Sequence, residues 1–165
     1  MSPTTHLVRP VRAASISDLS EALAPLDTEE VWEATGRAPE DVFAMALDDP
    51  NTIFLEVRRL SDLKPICVVG GTPMDGRLNL FLLATTYITL SDMVFLKRNV
   101  NAGILNLLAI AGLPLNTEAF AQVWSENTPH VRWCLRSNFY PTGDTTPAPN
   151  RGNFLEMIYT CVPPH

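Results

Sequence analysis

The sequence predicts an α/β protein: a mixed, mostly antiparallel sheet with helices on both faces. Three observations carry this prediction. Apolar residues recur with a helical period up to Asp49 and then switch to strict alternation, the period of a strand. Three strand-like segments then follow one another across short turns, which makes an antiparallel meander. Beyond them a long helical segment separates two further strand-like segments, the pattern of a parallel strand–helix–strand unit.

Leu7 to Arg12 reads as an opening strand. Ser15 or Ser17 can cap a helix that continues to Ala24 and is ended by Pro25. Asp27 is expected to cap a second short helix, Thr28 to Thr35, with Gly36 as its stop. Pro39 suits the first position of a third helix, which reaches Asp49. Ile53, Leu55 and Val57 alternate with Phe54, Glu56 and Arg58 in the first meander strand. Pro65 to Gly70 is the second, broken by Gly70-Gly71, and Leu78 to Thr85 is the third. Ser91 is expected to cap the longest helix, Asp92 to Ala111, before Gly112 and Pro114.

Ala119 to Trp124 is a strand. Thr128 and Pro129 open a helix to about Ser137, and Asn138 suits a left-handed cap. Thr142 to Arg151, rich in Pro, Thr, Asn and Gly, reads as a mobile hairpin loop before a closing strand, Phe154 to Val162. No internal repeat or linker interrupts this order, so residues 1–165 are taken as one domain.

Composition narrows the function classes. With 46% apolar residues the chain can build a core. A net charge of -6 disfavours a nucleic-acid backbone as partner, since that affinity comes from Lys and Arg. No apolar run has the length of a membrane span, and Met1 to Arg12 lacks the apolar segment of a secretory signal. Cys67, Cys134 and Cys161 are widely spaced and odd in number, which fits buried thiols. His6, His130 and His165 have no metal-ligand spacing, so no metal is expected.

The element order resembles the GNAT acetyltransferase fold. The stretch from Val123 to Pro141, VWSENTPHVRWCLRSNFYP, is similar to the fifth strand and following helix of that fold. Asn127 stands where an Asn ends the strand, and Asn138-Phe139 where Gly-Phe ends the helix. NTPHVRW, LFLLATTYIT and FLKR together also resemble the internal virion proteins of short-tailed phages, a GNAT-like branch. That resemblance implies a structural or morphogenesis protein acting in virion or internal-core assembly, located in the virion or the infected host cytoplasm. Its implied partners are other virion proteins, with a homo-oligomer as a further option. Thr142 to Arg151, Ile104 and Leu108 are the candidate contact surface. The alternative is an active acetyl-CoA-dependent N-acetyltransferase modifying a protein or small amine.

The residues decide how much of that chemistry is expected. The GNAT pattern places a glycine-rich loop at the start of the long helix, where backbone N–H groups hold the CoA diphosphate. Arg98, Asn101 and Gly103 are the nearest match, with Asn101 standing where Gly is wanted. Together with Asn127 they are the acetyl-CoA candidates, if binding is retained; no other cofactor is implied. Asp92 at the helix start would repel a phosphate. Cys134 occupies the place of the Tyr that protonates the leaving thiolate in GNAT enzymes. No carboxylate lies between Leu78 and Leu90, which leaves Glu126 and His130 as acid–base candidates, with no partner carboxylate for His130 in view. The expectation is a GNAT-like scaffold that has lost its acetyltransferase activity.

Overall fold

A computed structural model of the chain describes residues 4–162, so His165 lies outside the described residues. The first strand is β1 (His6–Pro10). After a 3-10 turn, Ala13–Ser15, come α1 (Ile16–Ala22), α2 (Pro25–Thr35) and α3 (Pro39–Asp48). The meander is β2 (Ile53–Arg59), β3 (Pro65–Met74) and β4 (Arg77–Ala84). The long helix α4 (Leu90–Ile110) leads to β5 (Ala119–Trp124), α5 (Thr128–Arg136), β6 (Tyr140–Pro147) and β7 (Asn153–Tyr159). The strands form one seven-stranded sheet in the order β1-β2-β3-β4-β5-β7-β6, and β4–β5 is its parallel pair. The predicted mixed, mostly antiparallel sheet is the observed one.

Several local expectations give way to tertiary structure. Pro25, rather than Asp27, opens α2: its fixed φ suits the first helical turn, and Ala24 is the N-cap. Asp27 sits inside that turn and is buried. Thr89, not Ser91, caps α4, in a reciprocal box with Asp92. Asn127, not Thr128, caps α5 by accepting the His130 N–H. Gly70-Gly71 does not break β3. A Cβ at Gly70 would lie 1.9 Å from the Ile53 carbonyl oxygen, so the glycine permits a close strand contact instead of ending one.

The segment from Thr142 to Pro147 is not a loop but most of the edge strand β6, paired with β7 and exposed at every residue. An edge strand tolerates Pro, which explains why its composition misleads. The hairpin loop proper, around Asn150 and Arg151, is tied to α2. Asn150 donates from its backbone N–H and side chain to Glu33, and Arg151 pairs with Glu29.

The core has a separate cluster on each face. Leu78, Ile104, Leu107, Leu108, Val123 and Met157 pack between the sheet and α4–α5. Leu19, Leu23, Phe43, Phe54 and Val68 pack under α1–α3. Ile104 and Leu108 are therefore core residues, 4% and 0% exposed, and cannot form the contact surface expected of them. The three cysteines are buried and free.

Candidate active site

The site begins with a gap in the sheet. β4 and β5 pair at only three positions, from Leu78–Ala119 to Leu80–Ala121, and then diverge. Leu78 donates its N–H to the Glu118 carbonyl. By strand alternation the backbone groups of Leu80, Leu82 and Ala84 face the same way, and beyond Leu80 no β5 residue stands opposite them.

At the wide end of this gap α2 supplies the missing partners. Ala84 donates its N–H to Asp27 Oδ1 at 3.1 Å, and its carbonyl accepts from the Ala24 N–H at 2.9 Å. Trp124 donates its N–H to Glu30 Oε1 at 2.8 Å, and its carbonyl accepts from the Asn127 N–H. Asp27 and Glu30 are three residues apart on one helix, hence on one face. That face also carries the buried Val31. Carboxylates on a buried helix face need paired donors, and the two splayed strand ends provide them.

The second oxygen of Glu30 builds the chemistry. Glu30 Oε2 accepts from Asn127 Nδ2 at 2.7 Å and from His130 Nδ1 at 3.1 Å. The side chains of His130 and Glu30 are 10% and 6% exposed. Burial disfavours the imidazolium, but hydrogen bonds to Cys134 and Glu30 and the charge of Glu30 outweigh it, raising the His130 pKa well above its ordinary value. Burial also lifts Asp27 to about 6, against the Ala84 N–H and the His130 charge, which both act to lower it. Asp27, Glu30 and His130 hold their ligand-type atoms within 4.8 Å of one another. Both oxygens of Glu30 are already taken by N–H donors, so Glu30 and His130 form a hydrogen-bonded acid–base pair with Asp27 beside it, a grouping that histidine spacing in the sequence did not indicate.

A cleft of about 1180 Å³ reaches this cluster from both faces of the sheet. Val57, Val69, Leu80, Leu96 and Val100 line it on the α4 side, and Val31, Phe43, Phe54 and Phe81 on the α2–α3 side. Glu30, His130 and Cys134 also line it. It exceeds the usual range of small-ligand sites, about 300–1,000 Å³, and is large enough for two substrates meeting through the gap.

The structure brings Asn127, His130 and Cys134 together and leaves the other predicted residues elsewhere. Glu126 is exposed and outside the cluster. Arg98, Asn101 and Gly103 lie inside α4, where backbone N–H groups are bonded one turn back and no glycine-rich loop exists. Asn101 instead holds the segment after β7: it accepts from the Val162 N–H and the Tyr159 hydroxyl and donates to the Val162 carbonyl. Gly103 lines the cleft, but a Cβ there would meet nothing within 4 Å, so no close approach requires glycine.

The start of α4 is closed to a diphosphate. Asp92 is 2% exposed. It accepts from Arg59, from His6 at 2.8 Å, and from the N–H and hydroxyl of Thr89. Burial alone would raise its pKa, but Arg59, His6 and Thr89 hold it well below the carboxylate range. A permanent buried carboxylate occupies the helix end that would otherwise attract an anion. The start of α4 therefore does not fit the diphosphate of CoA. Sequence reasoning missed Glu30 and Asp27, whose only local signal is two carboxylates on the apolar side of a short helix.

No protein-family model matches the chain, and no curated protein matches it. Solved structures do. A spermidine N-acetyltransferase from Vibrio cholerae in complex with CoA and spermine aligns with a TM-score of 0.71 at 11% identity, covering 96% of each chain. The aminoglycoside acetyltransferase AAC(6')-Ib in complex with paromomycin and acetyl-CoA aligns with a TM-score of 0.68 at 15% identity, covering 95% of this chain and 94% of the other. The chain has the GNAT acetyltransferase fold. The expected role as an internal virion protein is overturned: the matched structures are N-acetyltransferases, which favours the acetyltransferase alternative, and nothing among them supports a virion role.

Proposed function

We propose that this protein is an N-acyltransferase that moves an acyl group from a thioester, acetyl-CoA being the donor considered, to a small or protein-borne amine. The observation that carries the reading is the gap between β4 and β5, open to both faces and edged by the Glu30–His130 pair. A thioester arm is a linear chain of amides, and an open strand edge at Leu82 offers the N–H and C=O that such a chain needs. The amine approaches from the α2–α3 side, so that nucleophile and thioester meet in the plane of the sheet. The net charge of -6 favours a cationic amine as acceptor. The matched spermidine and aminoglycoside acetyltransferases support the same reaction class.

The test is product formation. The purified protein is incubated with acetyl-CoA and a panel of polyamines, aminoglycosides and peptide amines, and the mixture is analysed by mass spectrometry. The reading expects an acetylated amine together with stoichiometric free thiol, absent without the protein. Intact substrates throughout the panel would count against it.

A further inference from the structure

The sulfur that leaves a thioester needs a proton, and the residue standing at the usual acid position is Cys134, a buried thiol, 1% exposed. One turn earlier on the same face of α5 is His130. We propose that His130 is the proton donor to the departing thiolate and that Glu30 is its positioning residue. This rests on the acyltransferase reading above.

The geometry is specific. Glu30 is fixed by three donors, the Trp124 N–H, Asn127 Nδ2 and His130 Nδ1. With Nδ1 committed to Glu30, Nε2 is the nitrogen that can serve the leaving sulfur, Cys134 being the other group at the ring, and the residue lines the cleft. The clamp also ties the acid to the sheet gap, because the carboxylate that orients the ring is the one that closes the β5 edge. Charged and titratable groups facing the ring are Glu30 and Asp27 from α2 and Cys134 from α5. The pair's electrostatics favour the imidazolium, the form that can give a proton.

The step balances without another reactant. The neutral amine nitrogen bonds to the acyl carbon, and the C–S bond breaks. His130 Nε2–H gives its proton to sulfur, forming the thiol. The neutral imidazole then takes the proton shed by the new amide nitrogen and is ready for the next turnover.

Two measurements test this. The first compares His130→Gln with wild type on an alkyl thioester and on an aryl thioester, whose thiolate leaves without protonation. The proposal expects a loss of about 100-fold or more on the alkyl substrate, and a loss under about 5-fold on the aryl one. Equal losses on both would assign His130 a structural role and overturn the proposal while leaving the acyltransferase reading intact. No turnover of either thioester by wild type would overturn both. The second is imidazole NMR. His130 should stay doubly protonated at pH 7.5 in the wild type and become neutral in Glu30→Gln; a neutral ring in the wild type overturns the acid assignment whatever the activity.

Discussion

Asp27 shows at the residue scale how burial sets chemistry in this site. Its pKa in the folded chain is about 6, against the ordinary 3.8, because the carboxylate is buried and its compensating donors are few. The folded state thus binds the proton more tightly than the unfolded chain does. The stability contributed by this group is fully present below about pH 4 and is lost as pH rises through 6, by about 3 kcal/mol at roughly 1.4 kcal/mol per unit. Asp27→Asn removes the titration and keeps an oxygen for the Ala84 N–H. Urea unfolding should find the variant about 1–3 kcal/mol more stable than wild type at pH 8 and equal to it at pH 4. A variant less stable at pH 8 would show that the charge is stabilised by His130 more than burial penalises it.

At the scale of elements, α4 is defined by its first turn. The box between Thr89 and Asp92 satisfies helix-end donors; Arg59 pairs with the carboxylate from β2 and His6 hydrogen-bonds to it from β1. His6 also stacks on Phe95 at 3.9 Å between ring centroids, so the cap ties the sheet edge to the helix. Asp92→Ala removes the N3 half of the capping box, about 1 kcal/mol, and leaves Arg59 and His6 without their shared anion. The expected loss is about 2–4 kcal/mol in chemical denaturation; a loss under about 0.5 kcal/mol would mean that the cluster contributes little to holding α4. Depressed in the folded state, Asp92 contributes stability that is present above the ordinary carboxylate pKa and is lost as pH falls through its folded value. The same carboxylate keeps a diphosphate off this helix end, so one residue serves the stability of α4 and constrains how a donor can bind.

For the whole molecule, the order of strands and helices was legible because it is written in local periodicity and punctuation. The switch after Asp49, the left-handed Asn138 (φ 66°) and the parallel unit around α4 all survive. The starts of α2, α4 and α5 were read one to three residues late, because Pro25, Thr89 and Asn127 do the starting, whereas Pro39 opens α3 as read. Asn127, His130 and Cys134 were legible as candidates because they share one helix. Their partner was not: Glu30 meets Trp124 across 94 residues and His130 across 100, and no local pattern encodes a contact at that separation. The virion role drew on a sequence resemblance along the chain, which could not weigh the cleft that only the folded chain assembles.

The central claim is that this cleft receives a thioester arm between the splayed β4 and β5, with no contribution from a diphosphate site on α4. Calorimetric titration with acetyl-CoA and with acetyl-pantetheine, which lacks the nucleotide, measures it directly. Saturable one-to-one binding of both is expected, with dissociation constants within about tenfold, or roughly 1.4 kcal/mol, of each other. Absence of heat and of any thermal shift with either ligand would contradict it.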